Sequence, residues 1–424
     1  MSVRIFPSKL QGSLRVIGSK SLSHRYMIGA ALASGTSTLT QCMQSDDLEA
    51  TKHMLTALGA HIEGDTVRGP LHFKADKTLN ANASGSTLRF LIPLALLSSH
   101  PTRFTGEARL PFRSLASYKT MFEAKNLTFK TPSDTRWLPL EVQGPLRAGR
   151  FEIDGSVSSQ FVSGLMFALP LLEGDSEIVM TSPLQSEPYV AMTLKVLKDF
   201  GVKVEQTPYG YHIPGQQTYT PVHTTIESDY SHSVFFLAAG AASGPIELSH
   251  FKPDSVQGDR VVLSLLQTMG AKSQHVGDTL RIERSILKPF HADFEDTPDL
   301  VPMMGLLAAT IDGVSTLRGL ARLKHKESDR LEALRILLTH LGVTHTLQDD
   351  VLTIIGTGQL STNHVLPTFE DHRWVMALSM LAPFMREPYV LEEIDSVNKS
   401  YPEFFKAYQA LGGQFEVLKE AEYE

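Results

Sequence analysis

The sequence predicts an α/β fold of two similar domains assembled from six copies of one unit. Three observations predict it: a helix-ending motif recurs six times, an apolar helix recurs in the same phase, and short strands with turn signals fill the gaps.

The helix-ending motif is the last residue of a helix, then Gly or Asn, then a strand. Its copies are Leu58-Gly59-Ala60, Lys125-Asn126-Leu127, Phe200-Gly201-Val202, Met269-Gly270-Ala271, Leu341-Gly342-Val343 and Leu411-Gly412-Gly413. Gly and Asn are the residues that tolerate the left-handed backbone closing a helix C-terminus. Successive copies lie about 70 residues apart, the size of a supersecondary repeat.

The second element is a helix rich in small apolar residues. It recurs as SLSHRYMIGAALASGTSTL, STLRFLIPLALLSSHPTRF, SSQFVSGLMFALPLLEGDSEI, YSHSVFFLAAGAASGPIEL, DLVPMMGLLAATIDGVSTL and DHRWVMALSMLAPFMREPYVL. These helices are apolar nearly all round, so they should be buried. The partner helix of each unit, such as DDLEATKHMLTALG, is amphipathic and should lie outside. HIEGDTVRG and KVEQTPYGYHIPG read as strand, turn, strand.

A chain of 424 residues is too long for one ordinary core, and six units divide naturally as three and three, with the halves meeting near Thr225 to Asp229. A TIM barrel or a Rossmann fold would also alternate strands and helices. The eightfold period is missing, however, and Gly356-Thr357-Gly358 lacks the third glycine of a dinucleotide loop.

Composition narrows the function. Apolar residues are 42% and charged residues 20%, the profile of a globular protein. A net charge of -7 argues against general nucleic-acid affinity. Cys42 is the single cysteine, which predicts no disulfide framework, a reducing cytoplasm and a small filler role for the thiol. The opening MSVRIFPSKL has neither the apolar core of a secretory signal nor the Arg/Ser bias of a transit peptide. No apolar run reaches about 18 residues without a polar break, so no membrane span is expected.

The starts of the helices carry unusual chemistry. A helix N-terminus is partly positive and disfavours added cations. Yet Lys20 and Arg25 flank the start of the first buried helix, and Arg373 sits at the start of the sixth. Lys326 and Arg330 are expected to open the second helix of the fifth unit, four apart and on one face. Together they imply a polyanionic ligand held at several helix N-termini. The plainer reading pairs each cation with a nearby carboxylate on a solvated face. Ser84-Gly85-Ser86-Thr87 and Ser156-Val157-Ser158-Ser159-Gln160 open other helices and offer neutral donors suited to phosphate and hydroxyl groups, or simply N-caps. Asp299 and Glu327, each expected to open a helix of the fifth unit, supply acids, or again caps. Zinc motifs, a nucleophile elbow and a Walker A loop are missing; Gly18-Ser19-Lys20-Ser21 is not the last of these.

These residues fall into segments with a family likeness: Gly18 to Arg25, Gly106-Glu107-Ala108-Arg109-Leu110-Pro111-Phe112-Arg113, Asp154 to Gln160, Ser186-Glu187-Pro188-Tyr189, Pro298-Asp299, Lys326-Glu327-Ser328-Asp329-Arg330, Asp371-His372-Arg373 and Lys399-Ser400-Tyr401-Pro402. In that order, and over nearly its full length, the chain resembles the 5-enolpyruvylshikimate-3-phosphate synthase family. The resemblance implies two inside-out α/β domains, each of three βαβαββ repeats around buried helices. Residues 16-227 would form the N-terminal domain, concerned mainly with shikimate 3-phosphate. Residues 1-15 plus 228-424 would form the C-terminal domain, with acid/base chemistry and phosphoenolpyruvate binding. The first strand would cross to the C-terminal domain, and the ligands would bind in a cleft closed against water.

By the same resemblance, Lys20, Ser21, Arg25, Ser158, Ser159, Gln160, Ser186, Asp299 and Lys326 would bind shikimate 3-phosphate. Lys20, Gly85, Arg113, Gln160, Arg330, Arg373 and Lys399 would bind phosphoenolpyruvate. Asp299 would accept a proton and Glu327 donate one, with Lys20 also in the catalytic set. The enzyme would need no metal or organic cofactor and would act as a cytoplasmic monomer, with no nucleic-acid or membrane partner. Two positions depart from the family pattern. Ala83 stands where an Asn is usual, with Asn82 one step earlier, and Arg322 replaces an Asn before the Lys-Glu-x-Asp-Arg run.

Other enzymes share parts of this pattern. The transferase acting on UDP-N-acetylglucosamine has Lys-Asn where this chain has Lys20-Ser21, and most members carry a loop cysteine missing from Leu110 to Tyr118. An RNA 3′-phosphate cyclase would want an adenylated histidine, an ATP site and a more basic surface. A non-catalytic scaffold has no need of cations at helix starts.

Overall fold

The structure is a computed structural model, and it describes residues 1–72, 76–360, 362 and 365–418. Among these residues there are twelve α-helices in six pairs. They are α1 (Lys20–Leu32), α2 (Asp46–Ala57), α3 (Gly85–Ala95), α4 (Ala116–Glu123), α5 (Ser159–Ala168), α6 (Glu187–Asp199), α7 (Tyr230–Ser243), α8 (Val261–Thr268), α9 (Val301–Ala309), α10 (Arg330–His340), α11 (His372–Ser379) and α12 (Phe404–Ala410).

The odd-numbered helices are the apolar ones, and they are buried along almost their whole length, as expected of helices without a polar face. The even-numbered helices bury one side only. Every repeat ends its outer helix as the sequence predicts. Gly59, Asn126, Gly201, Gly270, Gly342 and Gly412 all have positive φ, between 58° and 106°.

Among the described residues, six four-stranded sheets accompany the six helix pairs. Each has the same plan: an entering strand lies parallel to the strand after the buried helix, and two antiparallel strands follow. In one sheet Arg150–Ile153 runs parallel to Ser176–Met180, which pairs antiparallel with Gly210–Ile213, which pairs with Glu205–Thr207. Buried and exposed residues alternate along strands such as Thr279–Glu283, so one face meets the helices and the other meets water.

The entering strands of two sheets are exchanged along the chain. Gly12–Arg15 precedes α1, yet it pairs with Ile246–Ser249, the strand after α7. His223–Thr225 precedes α7, yet it pairs with Thr36–Thr40, the strand after α1. Ser2–Phe6 fills the third strand position in the sheet of α11, between Tyr389–Leu391 and Gln414–Leu418. The chain accordingly separates into two compact units, Gly18–Ile226 and Met1–Ile17 with Glu227–Glu424. Each unit holds three buried helices with their sheets and partner helices. Among the described residues no helix is long and apolar enough to cross a membrane.

Candidate active site

In the unit Gly18–Ile226, polar side chains in the first halves of α1, α2, α3, α5 and α6 link the five helices into a ring. His24 Nδ1 in α1 lies 2.8 Å from Thr51 Oγ1 in α2. That hydroxyl lies 2.6 Å from Thr87 Oγ1 in α3, which donates to Ser84, the N-cap of its own helix. Arg89 of α3 donates to Gln160 Oε1 of α5 at 2.6 Å, and Gln160 Nε2 donates back to Ser86 at 2.9 Å. Thr193 of α6 donates to Ser163 of α5 at 2.8 Å and accepts from Arg25 Nε of α1 at 2.8 Å. These bonds tie the five helices to one another through side chains alone.

The predicted residues of this unit fall on that ring or beside it. Lys20 is the first residue of α1 and pairs with Asp47 at 3.1 Å. Ser21 accepts Arg25 Nη1 on its carbonyl, and Arg25 Nη2 donates to the Tyr189 carbonyl. Arg25 is 2% exposed and lies over the Phe90 ring. Burial pulls its pKa down to about 10, against the pull of Tyr189, so it remains a cation at neutral pH. A buried guanidinium among these neutral acceptors is unfavourable unless an anion joins it.

Ser158 caps α5, Ser159 is buried behind it, and Ser186 precedes α6 with φ of 56°. Gly85 opens α3 against Arg113; a Cβ there would stand 2.7 Å from Arg113 Nη1. A side chain there would push that guanidinium away from the helix start. Asn82 takes the left-handed turn before it, at φ 47°.

His24 yields a pH prediction. Burial holds its imidazole neutral and lowers its pKa to about 3, outweighing Asp47. Between pH 6.5 and about 3 the unfolded chain takes up a proton that the folded chain refuses, so stability falls as pH falls. The loss should reach a few kcal/mol in this window. His24→Asn keeps a polar contact for Thr51 and should flatten that part of the curve in urea titrations. An unchanged slope would assign the acid sensitivity elsewhere.

In the unit containing Glu227–Glu424, Asp299 is the centre. It precedes α9 and receives Arg330 Nη1 at 2.8 Å, Arg373 Nη2 at 3.0 Å and Lys326 Nζ at 3.3 Å. Burial alone would raise its pKa, but Arg373, Lys326 and Arg330 together hold it well below the usual carboxylate range. Lys326 shows the reverse balance: burial brings its ammonium down to about 8 despite Asp299. Arg330 also donates to Glu327 at 2.7 Å and twice to Asp371, at 2.8 and 3.2 Å. Lys399 ends a short 3₁₀ turn, and its neighbour Ser400 lies 3.1 Å from His232 Nε2 in the first turn of α7. The preceding residue, Ser231, offers its carbonyl to Arg373.

Two expectations are corrected here. Lys326 and Arg330 do not share a helix face, because α10 begins at Arg330 with Asp329 as its N-cap, and Lys326 sits in the extended link before it. Glu327 therefore precedes the helix and does not cap it. Both residues still converge, but through Asp299 and Arg330 rather than through helical spacing. Lys20, Lys326, Arg330 and Arg373, though not Arg25, are also carboxylate-paired, as the plainer reading supposed, although not on a solvated face: Arg330 is 1% and Arg373 3% exposed.

Sequence reasoning did not single out Arg89 and Thr193, and it named Asp371 only as part of the segment Asp371-His372-Arg373, with no role of its own. Arg89 left a signal, being the one charge in the helix GSTLRFLIPLA. Arg322 lies in the 3₁₀ turn Ala321–His325, close enough to Lys326 to lower its pKa further.

Solved structures with this architecture include the EPSP synthase of Acinetobacter baumannii, with a TM-score of 0.82, 24% identity, and coverage of 99% of this chain and 100% of that one. The enolpyruvyl transferase NikO of Streptomyces tendae gives a TM-score of 0.79 at 18% identity, covering 98% of each chain. The fold is that of the enolpyruvyl transferases. A family model for EPSP synthase (3-phosphoshikimate 1-carboxyvinyltransferase) matches residues 6–408. Proteins named 3-phosphoshikimate 1-carboxyvinyltransferase are 36% identical over 429 aligned positions in Clostridium beijerinckii and 39% over 420 in Clostridium kluyveri, each covering 98% of both chains. The chain belongs to the EPSP synthase family.

Proposed function

We propose that this protein transfers the enolpyruvyl group of phosphoenolpyruvate to the 5-hydroxyl of shikimate 3-phosphate and releases phosphate, a step of aromatic biosynthesis in the cytoplasm. The observation that carries the chemistry is an ionised carboxylate, Asp299, gripped by Lys326, Arg330 and Arg373 with a second carboxylate, Glu327, on the same Arg330.

Lys20, Ser21, Arg25, Ser158, Ser159, Gln160 and Ser186 bind shikimate 3-phosphate, joined by Asp299 and Lys326 at its hydroxyls. The buried Arg25, with neutral partners at helix starts, takes the 3-phosphate. Lys20, Gly85, Arg113, Gln160, Arg330, Arg373 and Lys399 bind phosphoenolpyruvate.

Glu327 gives a proton to the methylene carbon of phosphoenolpyruvate. The 5-hydroxyl oxygen bonds to the adjacent enol carbon while Asp299 takes the hydroxyl proton, giving a tetrahedral adduct. The Glu327 carboxylate then takes a proton back from the new methyl group, the carbon–oxygen bond to phosphate breaks as Asp299 returns its proton to the departing phosphate, and the enolpyruvyl ether remains. Asp299 is a weak base while three cations hold it. A phosphoenolpyruvate anion drawing on Arg330 and Arg373 weakens that grip and raises its basicity when the proton must move.

The test is phosphate release from a mixture of both substrates at neutral pH. Well-folded protein that releases none would refute the reading. Release with UDP-N-acetylglucosamine in place of shikimate 3-phosphate would move the assignment to the other acceptor.

A further inference from the structure

We propose that Asp259 is a positioning residue for this reaction, acting through Ser231 to hold the Arg373 guanidinium against Asp299. The inference rests on the functional reading above and adds a residue to it.

Asp259 lies in the 3₁₀ turn Gly258–Arg260 that leads into α8 and is 3% exposed. Its Oδ2 accepts the hydroxyl of Ser231, in the first turn of α7. The carbonyl of the same Ser231 accepts Arg373 Nη1 at 3.3 Å, and the other arm of that guanidinium donates to Asp299 Oδ2 at 3.0 Å. Arg373 Nη1 also reaches the Asp299 carbonyl at 3.3 Å. Three elements distant in sequence are thus linked in one line: the α8 entry, the α7 start and the α11 start.

The Ser231 carbonyl belongs to the first turn of a helix, so its position is set by that turn. The Asp259 carboxyl tethers the turn at its side chain. Removing the tether frees Ser231 to choose another rotamer and lets the turn shift, and a small displacement of a positioned cation costs rate out of proportion to its size. A buried carboxyl is also an unfavourable choice for a purely structural tether, since an amide or hydroxyl would bond Ser231 without the desolvation cost.

Charged groups face Asp259 from several elements. Asp299 comes from the α9 entry, Arg373 from α11 and Asp229 from the α7 cap. Burial first, and then Asp299, raise its pKa to about 7, opposed by Ser231 and Arg373. The carboxyl therefore changes charge near neutral pH beside the pair it positions. Ionised, it competes with Asp299 for Arg373; neutral, it leaves Arg373 to Asp299 and to an incoming anion.

The test compares Asp259→Ala, Asp259→Asn and Ser231→Ala by steady-state phosphate release from pH 5.5 to 9. Asp259→Ala should raise the KM for phosphoenolpyruvate about tenfold and leave the KM for shikimate 3-phosphate nearly unchanged. Asp259→Asn, which keeps an acceptor for Ser231, should restore most of the loss and remove a step near pH 7 from the rate profile. Ser231→Ala should mimic Asp259→Ala, and the double variant should be no worse than either single one, as for two ends of one link. Equal rises in both KM values, additive losses, or an Asp259→Asn profile matching wild type would overturn the proposal. A merely structural role would lower melting temperature and active fraction without moving the KM for phosphoenolpyruvate. Wild-type protein that releases no phosphate at all would instead refute the functional reading. In that case phosphoenolpyruvate-induced thermal stabilisation of wild type, lost in Asp259→Ala and kept in Asp259→Asn, still decides the positioning role.

Discussion

Glu327→Gln should lose about 10²–10⁴ in kcat while both substrates still bind. The substitution is close to isosteric, and the amide oxygen of Gln can still accept from Arg330 Nη2, as Glu327 Oε2 does at 2.7 Å. Geometry around Arg330 is therefore kept, and what disappears is an ionisable proton donor. Steady-state phosphate release gives kcat, and thermal stabilisation by each substrate gives binding. Turnover within about threefold of wild type would remove Glu327 from the acid role. Asp299→Asn is a poorer probe of the partner role. Three cations share that carboxylate, so its loss disturbs Lys326, Arg330 and Arg373 together with any proton transfer.

The repeat was legible because each copy is a local event. A helix that must stop and turn into a strand needs a left-handed residue, and Gly59, Asn126, Gly201, Gly270, Gly342 and Gly412 mark all six stops. Burial of α1, α3, α5, α7, α9 and α11 was legible for the same reason, since a helix without a polar face has nowhere else to go. The exchange of Gly12–Arg15 and His223–Thr225 was not legible in the residues alone. Both strands precede a helix of the same kind, and the choice of sheet is a long-range pairing; the crossing of the first strand came only with the family resemblance.

The site was legible as a list of residue types and less so as geometry. Lys326-Glu327-Ser328-Asp329-Arg330 reads as one helical turn because Lys, Glu and Arg are good helix formers. The side chain of Asp329 instead accepts the Glu332 N–H and caps the helix there, leaving Lys326 and Glu327 outside. Arg89 and Thr193 escaped notice because their part is to hold Gln160 and Arg25, and holding leaves no motif.

Asp371→Ala should be the most destabilising single change at this site. The carboxylate is fully buried and receives four hydrogen bonds: Ser328 Oγ at 3.0 Å, Arg330 Nε and Nη2, and the Arg373 backbone N–H at 3.0 Å, the last capping α11. Removing one partner of a buried ion pair costs about 3–5 kcal/mol, because the cation left behind has lost its hydration as well as its counter-charge. The lost cap adds about 1 kcal/mol. Arg330 still has Asp299 and Glu327, which argues for the lower end of that range. Asp371→Asn separates the two contributions, since Asn caps a helix as well as Asp but brings no charge to Arg330. Denaturant unfolding should therefore rank wild type above Asn and Asn above Ala. An Ala variant that loses only about 1 kcal/mol would mean that the cap is all Asp371 provides and that Asp299 and Glu327 suffice for Arg330. The ranking bears on function too, because the same carboxylate orients Arg330 and the first turn carrying Arg373, the two guanidiniums that hold Asp299.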